Sequence, residues 1–112
     1  MGKRGLALGR LELIALLVIM RLGDDAYGVP IARGIEEATG RGLAVAGVYA
    51  ALERLETKGL VSSKLGEPTA ERGGKAKTYF RATAKGVLAA RENKRTLAQL
   101  WDGLPELKLE AV

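Results

Sequence analysis

Arg72, Lys75 and Lys77 fall in or beside one glycine-rich stretch, 66–74, and Lys64 and Arg81 flank it on either side. Cations gathered on a loop can neutralise a row of phosphate oxygens. Tyr27 and Tyr49 add hydroxyls able to bond phosphate or a base edge, and Arg54 with Lys58 adds two further cations. The whole chain leans the same way. Eighteen Lys and Arg against 13 Asp and Glu give a net charge of +5 and a pI near 9.7. Such a bias points to a polyanionic partner without identifying one.

Other chemistries are excluded or weak. Cys and His are both absent, which removes disulfides, thiolate and imidazole metal sites, and Cys–His or Ser–His catalytic pairs. Two carboxylate pairs remain, Glu36 with Glu37 and Glu53 with Glu56. The first two are adjacent on a helix and diverge, and the second two belong to a charged surface pattern, so both are read as solvated helix faces. No enzyme activity, cofactor or metal is expected. The apolar run 13–20 is too short for a bilayer, which takes about 20 apolar residues. Arg10 and Glu12 interrupt it upstream, no small-residue cleavage pattern follows, and Leu6 stands where a myristoylation signal needs Ser or Thr. A cytoplasmic, soluble chain with no membrane role is the expectation.

The elements that would hold these groups can be read in order. With 112 residues, 47% of them hydrophobic, the chain has room for one compact domain. A first helix over 9–22 is stopped by Gly23 and the Asp24-Asp25 pair. Its residues Leu13, Ile14, Leu16, Leu17, Val18, Ile19 and Met20 go almost all the way round, so it needs cover on every side. That cover is either a second subunit or an unusually central place in a monomer. A second helix follows Tyr27-Gly28, carries Pro30 in its first turn, and ends at Gly40 and Gly42. A third spans 45–58, with Val48, Leu52 and Leu55 as its buried face, Ala51 beside them, and Gly59 as a left-handed cap. Strands at 60–65 and 78–83 around the loop form a β-hairpin. Thr83 then N-caps a last helix on which Leu97, Leu100, Trp101 and Leu104 share a stripe, ended by Pro105. The fold class is mostly α with a small β-hairpin, a winged helix-turn-helix plus a C-terminal dimerisation helix. Its parts are 1–83, 84–104 and a tail at 105–112.

In such a motif the second helix of the pair enters the major groove and the hairpin wing reaches the adjacent backbone. Three stretches carry a closer likeness. They are Tyr27-Gly28, then Val48-Tyr49-Ala50-Ala51-Leu52-Glu53-Arg54-Leu55-Glu56-Thr57-Lys58-Gly59-Leu60-Val61, then Arg72-Gly73-Gly74-Lys75-Ala76-Lys77-Thr78-Tyr79-Phe80-Arg81-Ala82-Thr83 with Gly86 following. In this order and spacing they resemble the PadR family of transcriptional regulators over roughly 11–104. The resemblance implies a homodimer built on the first and last helices, repression at a promoter in double-stranded DNA, and release by a small-molecule effector.

On this reading the DNA-binding residues are Tyr27, Ala46, Gly47, Tyr49, Ala50, Arg54, Arg72, Lys75 and Lys77. The dimer interface is Leu13, Leu16, Leu17, Met20, Leu97, Leu100, Trp101 and Leu104. Several have a second reading. Tyr49 meets phosphate or a base, or packs at the domain edge. Tyr27 meets phosphate or is a core aromatic, Lys75 and Lys77 contact phosphates or form a solvated turn, and Arg54 contacts DNA or pairs with neighbouring Glu residues. Trp101 is a dimer anchor or a ligand-stacking residue; the first is favoured, because the tryptophan that stacks flat ligands in some relatives lies about one turn earlier, where this chain has Leu97. The chain also departs from the family's pattern. Ala44 replaces a capping Ser, and Ala46, Gly47 and Ala50 offer no side-chain hydrogen bond to a base. Phosphate contacts and DNA shape would then carry more of the binding. The same bare face suits a winged-helix protein-interaction adaptor without nucleic-acid binding, the alternative function.

Overall fold

Apolar residues at helical spacing put one helix at the centre of the molecule and arrange the others around it. The computed structural model describes residues 8–67 and 76–107. In chain order it contains α1 (Arg10–Leu22), a 3-10 turn (Gly23–Asp25), α2 (Gly28–Thr39), α3 (Val45–Thr57), β1 (Val61–Leu65), β2 (Thr78–Ala82), α4 (Ala84–Trp101) and a second 3-10 turn (Pro105–Leu107). Strands β1 and β2 pair antiparallel from Val61 opposite Ala82 to Leu65 opposite Thr78. The fold is a winged helix followed by a long C-terminal helix.

Helix α1 is central because α2, α3, β2 and α4 all pack on it. Its Leu16 and Ile19 meet Ile31 and Ile35 of α2, Val48, Leu52 and Leu55 of α3, and Phe80 of β2 in one buried cluster. This corrects the interface assignment of Leu16, which is fully buried in the chain's own core. Ala15, Val18 and Ile19 are covered the same way, and on α1 the large apolar side chains left open are Leu17 and Met20, with Leu11, Leu13, Ile14 and Leu22 half-buried. The need for outside cover is therefore narrower than an all-round apolar helix suggests.

The buried face of α3 is Val48, Ala51, Leu52 and Leu55, the stripe its spacing predicts. Its C-terminus is a Schellman closure. The Leu60 N–H donates to the Leu55 carbonyl at 2.9 Å and the Gly59 N–H to the Glu56 carbonyl at 2.9 Å. Gly59 sits at φ +77°, where a side chain would be strained. Thr83 caps α4 as expected, its Oγ1 accepting from the Gly86 N–H at 3.0 Å while donating to the Gly59 carbonyl at 2.7 Å. That hydroxyl ties the start of α4 to the end of α3. The helix ends at Trp101, one turn before Pro105, with Gly103 in the left-handed region. Leu104 thus lies beyond the helix rather than on its stripe.

The hairpin is also held from below. The Phe80 N–H donates to the Ala26 carbonyl at 2.8 Å, and Tyr27 forms an isolated antiparallel bridge with Tyr79. The residues entering α2 thereby act as a short third strand, which fixes the wing's base against the helix pair.

Candidate nucleic-acid interface

The geometry starts at the N-terminus of α2. Tyr27 is its N-cap residue and makes no side-chain capping bond. Its ring meets the Tyr79 ring edge-on, with centroids 5.3 Å apart and planes at 61°. The Lys77 ammonium lies over the Tyr27 ring, 4.5 Å from its centroid. Such a cation–π contact holds the ammonium in place and leaves its charge in force. From α3, the Tyr49 hydroxyl rests against Gly28, where any Cβ would collide with it. Tyr27, Lys77 and Tyr49 are therefore gathered around the first amides of α2, whose unpaired N–H groups favour an anion.

The leading face of α3 is as bare as its residue types suggest. Ala44 starts the helix without a side-chain cap, Ala46 is exposed, and Gly47 and Ala50 are half-buried. Space beyond Gly47 is open. Tyr49 is 50% exposed, so part of the ring remains available although its hydroxyl end is packed. The hydroxyl end thus packs at the domain edge, and half of the residue stays open to solvent.

Arg54 has a different partner from the neighbouring glutamates. Its Nε donates to Glu12 Oε2 at 2.7 Å, and Lys58 Nζ donates to Glu12 Oε1 at 2.7 Å. Glu12 Oε1 also accepts from the Gly9 N–H at 3.1 Å, tying off the first turn of α1. Glu12 is 5% exposed. Burial alone would raise its carboxyl, yet the bonds from Lys58, Arg54 and the Gly9 backbone hold it below the ordinary glutamate value. The Arg54 side chain remains half exposed. On the wing, Arg81 pairs with Asp24 at 2.9 Å, both well exposed, so solvent screens the pair. Arg72 and Lys75 lie outside the described residues. Glu36, Glu37, Glu53 and Glu56 are exposed, and Glu56 accepts from the Ser63 hydroxyl at 2.6 Å.

A second surface lies between α1 and α4. A groove of about 680 Å³ runs between α1 and α4, lined by Leu13, Leu17, Met20, Val87, Ala90, Leu97, Ala98 and Trp101, with Arg91 and Lys94 among its lining. Leu97, Leu100, Trp101 and Leu104 are all exposed, Trp101 by 55%. A contiguous open apolar surface of this kind marks a place where something binds. Among the described residues no acidic cluster could hold a metal, and no helix is long and apolar enough to cross a membrane.

Comparison with known proteins agrees with the architecture. The family model for the transcriptional regulator PadR-like family matches residues 16–92. No curated protein matches the chain. A PadR family regulator from Clostridium difficile has a similar structure, with TM-score 0.69 and 23% identity, over 82% of this chain and 91% of that one. A PadR family regulator from Eggerthella lenta is 28% identical, with TM-score 0.63, over 83% of this chain and 79% of that one. The Bordetella bronchiseptica regulator BpsR, solved in a study of how 6-hydroxynicotinic acid regulates its DNA binding, is 18% identical with TM-score 0.60, over 87% of this chain and 67% of that one. The extent of the family match, on a chain with this winged-helix architecture, settles membership: the chain belongs to the PadR-like family of DNA-binding transcriptional regulators.

Proposed function

We propose that the chain is a cytoplasmic repressor that works as a homodimer, acting by binding rather than catalysis. Each protomer lays α3 in the major groove of promoter DNA and sets its wing on the adjacent backbone. The observation that carries this reading is the group at the start of α2. Tyr27, Lys77 and Tyr49 converge there, beside amides that favour a phosphate. Arg72 and Lys75 add two further cations in the sequence between the strands, and Arg54 adds a half-exposed side chain on α3. Ala46, Gly47 and Ala50 let the helix backbone approach the bases closely and touch thymine methyls.

Leu13, Leu17 and Met20 of α1, with Leu97, Leu100, Trp101 and Leu104 at the C-terminal end, form the dimer surface. The exposure of Leu17, Met20, Leu97, Leu100, Trp101 and Leu104 supports this, with Leu13 half-buried beside them, since none of the described elements covers them. The groove between α1 and α4 shares Leu13, Leu17, Met20, Leu97 and Trp101 with that surface, so an apolar effector of modest size would sit at the dimer seam. The BpsR fold likeness, with its ligand-regulated DNA binding, supports an effector without identifying one.

The direct test is the salt dependence of DNA binding. Each phosphate contact removed lowers the slope of log K against log salt by about 0.9. Lys75→Ala with Lys77→Ala is expected to flatten the slope by nearly two per protomer. An unchanged affinity and slope would refute the wing's role. The adaptor reading draws on the bare face of α3. It requires that no genomic fragment be preferred at physiological salt.

A further inference from the structure

A buried carboxylate on α1 holds two cations of the recognition helix, and no DNA-contacting role accounts for it. Glu12 reaches α3 across 42 residues to Arg54 and 46 to Lys58. Arg54 and Lys58 are four apart, so they stand on one face of α3 and close on the carboxylate together. The same carboxylate closes the first turn of α1 through Gly9. A buried carboxylate commonly brings little net stability over an apolar contact of equal size, and holding one geometry is a use such a group can have.

That geometry matters because of how α3 is seated. Its N-terminus has no side-chain cap, and its leading residues are small. The front is steadied by Tyr49 against Gly28, and the rear by Glu12. Arg54 commits its Nε to Glu12 while its side chain stays 51% exposed. A guanidinium is a planar fork with five donors, so an Nε held on one edge turns the rest of the fork in a set direction. Freely rotating, the same side chain would attract any phosphate equally.

We propose that Glu12 is a positioning residue for DNA recognition. It aims Arg54 so that its guanidinium contacts the DNA in one pose, and so raises specific over non-specific binding. This rests on the DNA-binding reading above. It opposes simple electrostatics, by which removing an acidic group near the DNA face tightens all binding.

Glu12→Gln tests it, being isosteric and raising the formal charge by one. Affinity is measured for a genomic fragment recovered by selection with the wild-type protein, and for a shuffled duplex of equal length. The expected result is a specific-to-shuffled ratio about tenfold lower, with binding to the shuffled duplex undiminished. Arg54→Lys, which keeps the charge but not the fork, is expected to lower the ratio similarly. Glu12→Gln added to it should lower the ratio no further, since the two act as one unit. In the free wild-type protein the Arg54 Nε–H should give a protected, slowly exchanging NMR signal, lost in Glu12→Gln. If Glu12→Gln does not fold, Arg54→Lys and the wild-type NMR signal carry the test. An unchanged ratio, equal tightening on both duplexes, additive effects of the two substitutions, or a fast-exchanging Arg54 signal each overturns the proposal. A wild-type protein that prefers no fragment overturns the functional reading and this inference with it.

Discussion

Gly86→Ala separates two opposite expectations. Gly86 is in the first turn of α4 and buried. By helix propensity alone, alanine there should stabilise the chain by up to about 1 kcal/mol. The surroundings reverse the sign. A Cβ at Gly86 would overlap the Leu60 carbonyl oxygen and lie 3.0 Å from its carbon, and that neighbour is backbone, unable to rotate aside. Relief requires moving α4 away from the turn at Gly59 and Leu60. Overpacking of this kind costs about 1–3 kcal/mol. The movement also strains the Thr83 N–H bond to the Leu60 carbonyl, 3.0 Å, and the Thr83 hydroxyl bond to the Gly59 carbonyl, 2.7 Å. Two such bonds contribute about 1 kcal/mol each. After the propensity gain the net loss is about 2–4 kcal/mol. Urea denaturation at one fixed protein concentration should show the midpoint falling by about 1–2 M. A midpoint equal to or above the wild type would refute the close approach of α4 to the Leu60 carbonyl.

Gly47→Ala is the matched control, because nothing lies within 4 Å of its added Cβ; the same denaturation should show a gain of about 0.5–1 kcal/mol. Thr83→Ala removes the α4 cap and the tie to Gly59 together, and a loss of about 1–2 kcal/mol in urea is expected. Glu12→Gln should destabilise at neutral pH by about 1–2 kcal/mol through the lost charged hydrogen bonds. Because the folded carboxyl is held below its ordinary value, that contribution is full above the ordinary glutamate value and fades as pH falls through the lowered one. Midpoints of wild type and Glu12→Gln should therefore converge on acidification. Leu17→Glu places a charge on an exposed part of the groove; sedimentation should show monomer with helical content retained, and an unchanged wild-type dimer would contradict the interface.

Much of this architecture is local and therefore readable in the sequence. Val48, Leu52 and Leu55 repeat at helical spacing, and the structure buries all three. Gly59 and Thr83 are punctuation marks whose physics acts within a few residues, and both cap as expected. The features that local sequence does not carry depend on distant partners. The spacing of Leu16 and Leu17 says that both are apolar on a helix, but only packing decides that Leu16 is inside and Leu17 open. Glu12 looked like an interruption in a greasy stretch. An isolated acid beside apolar helix positions was a signal that a cation had to meet it, though nothing local named Arg54 and Lys58. The wing's attachment through the Ala26 carbonyl is a backbone bond, so no side-chain pattern could announce it. Pro105 was an obvious stop for the last helix, yet Gly103 can adopt the left-handed turn and the helix closes at Trp101 first.

Tyr27, Lys77 and Tyr49 gather at the start of α2, and the central claim is that this face binds double-stranded DNA with sequence preference. Sheared DNA from the source genome, bound to the purified full chain at physiological salt, recovered and sequenced, tests it most directly. The expected result is a small set of enriched fragments sharing a roughly palindromic site, with affinity falling steeply as salt rises. Uniform recovery of the genome, with no fragment enriched, would contradict it.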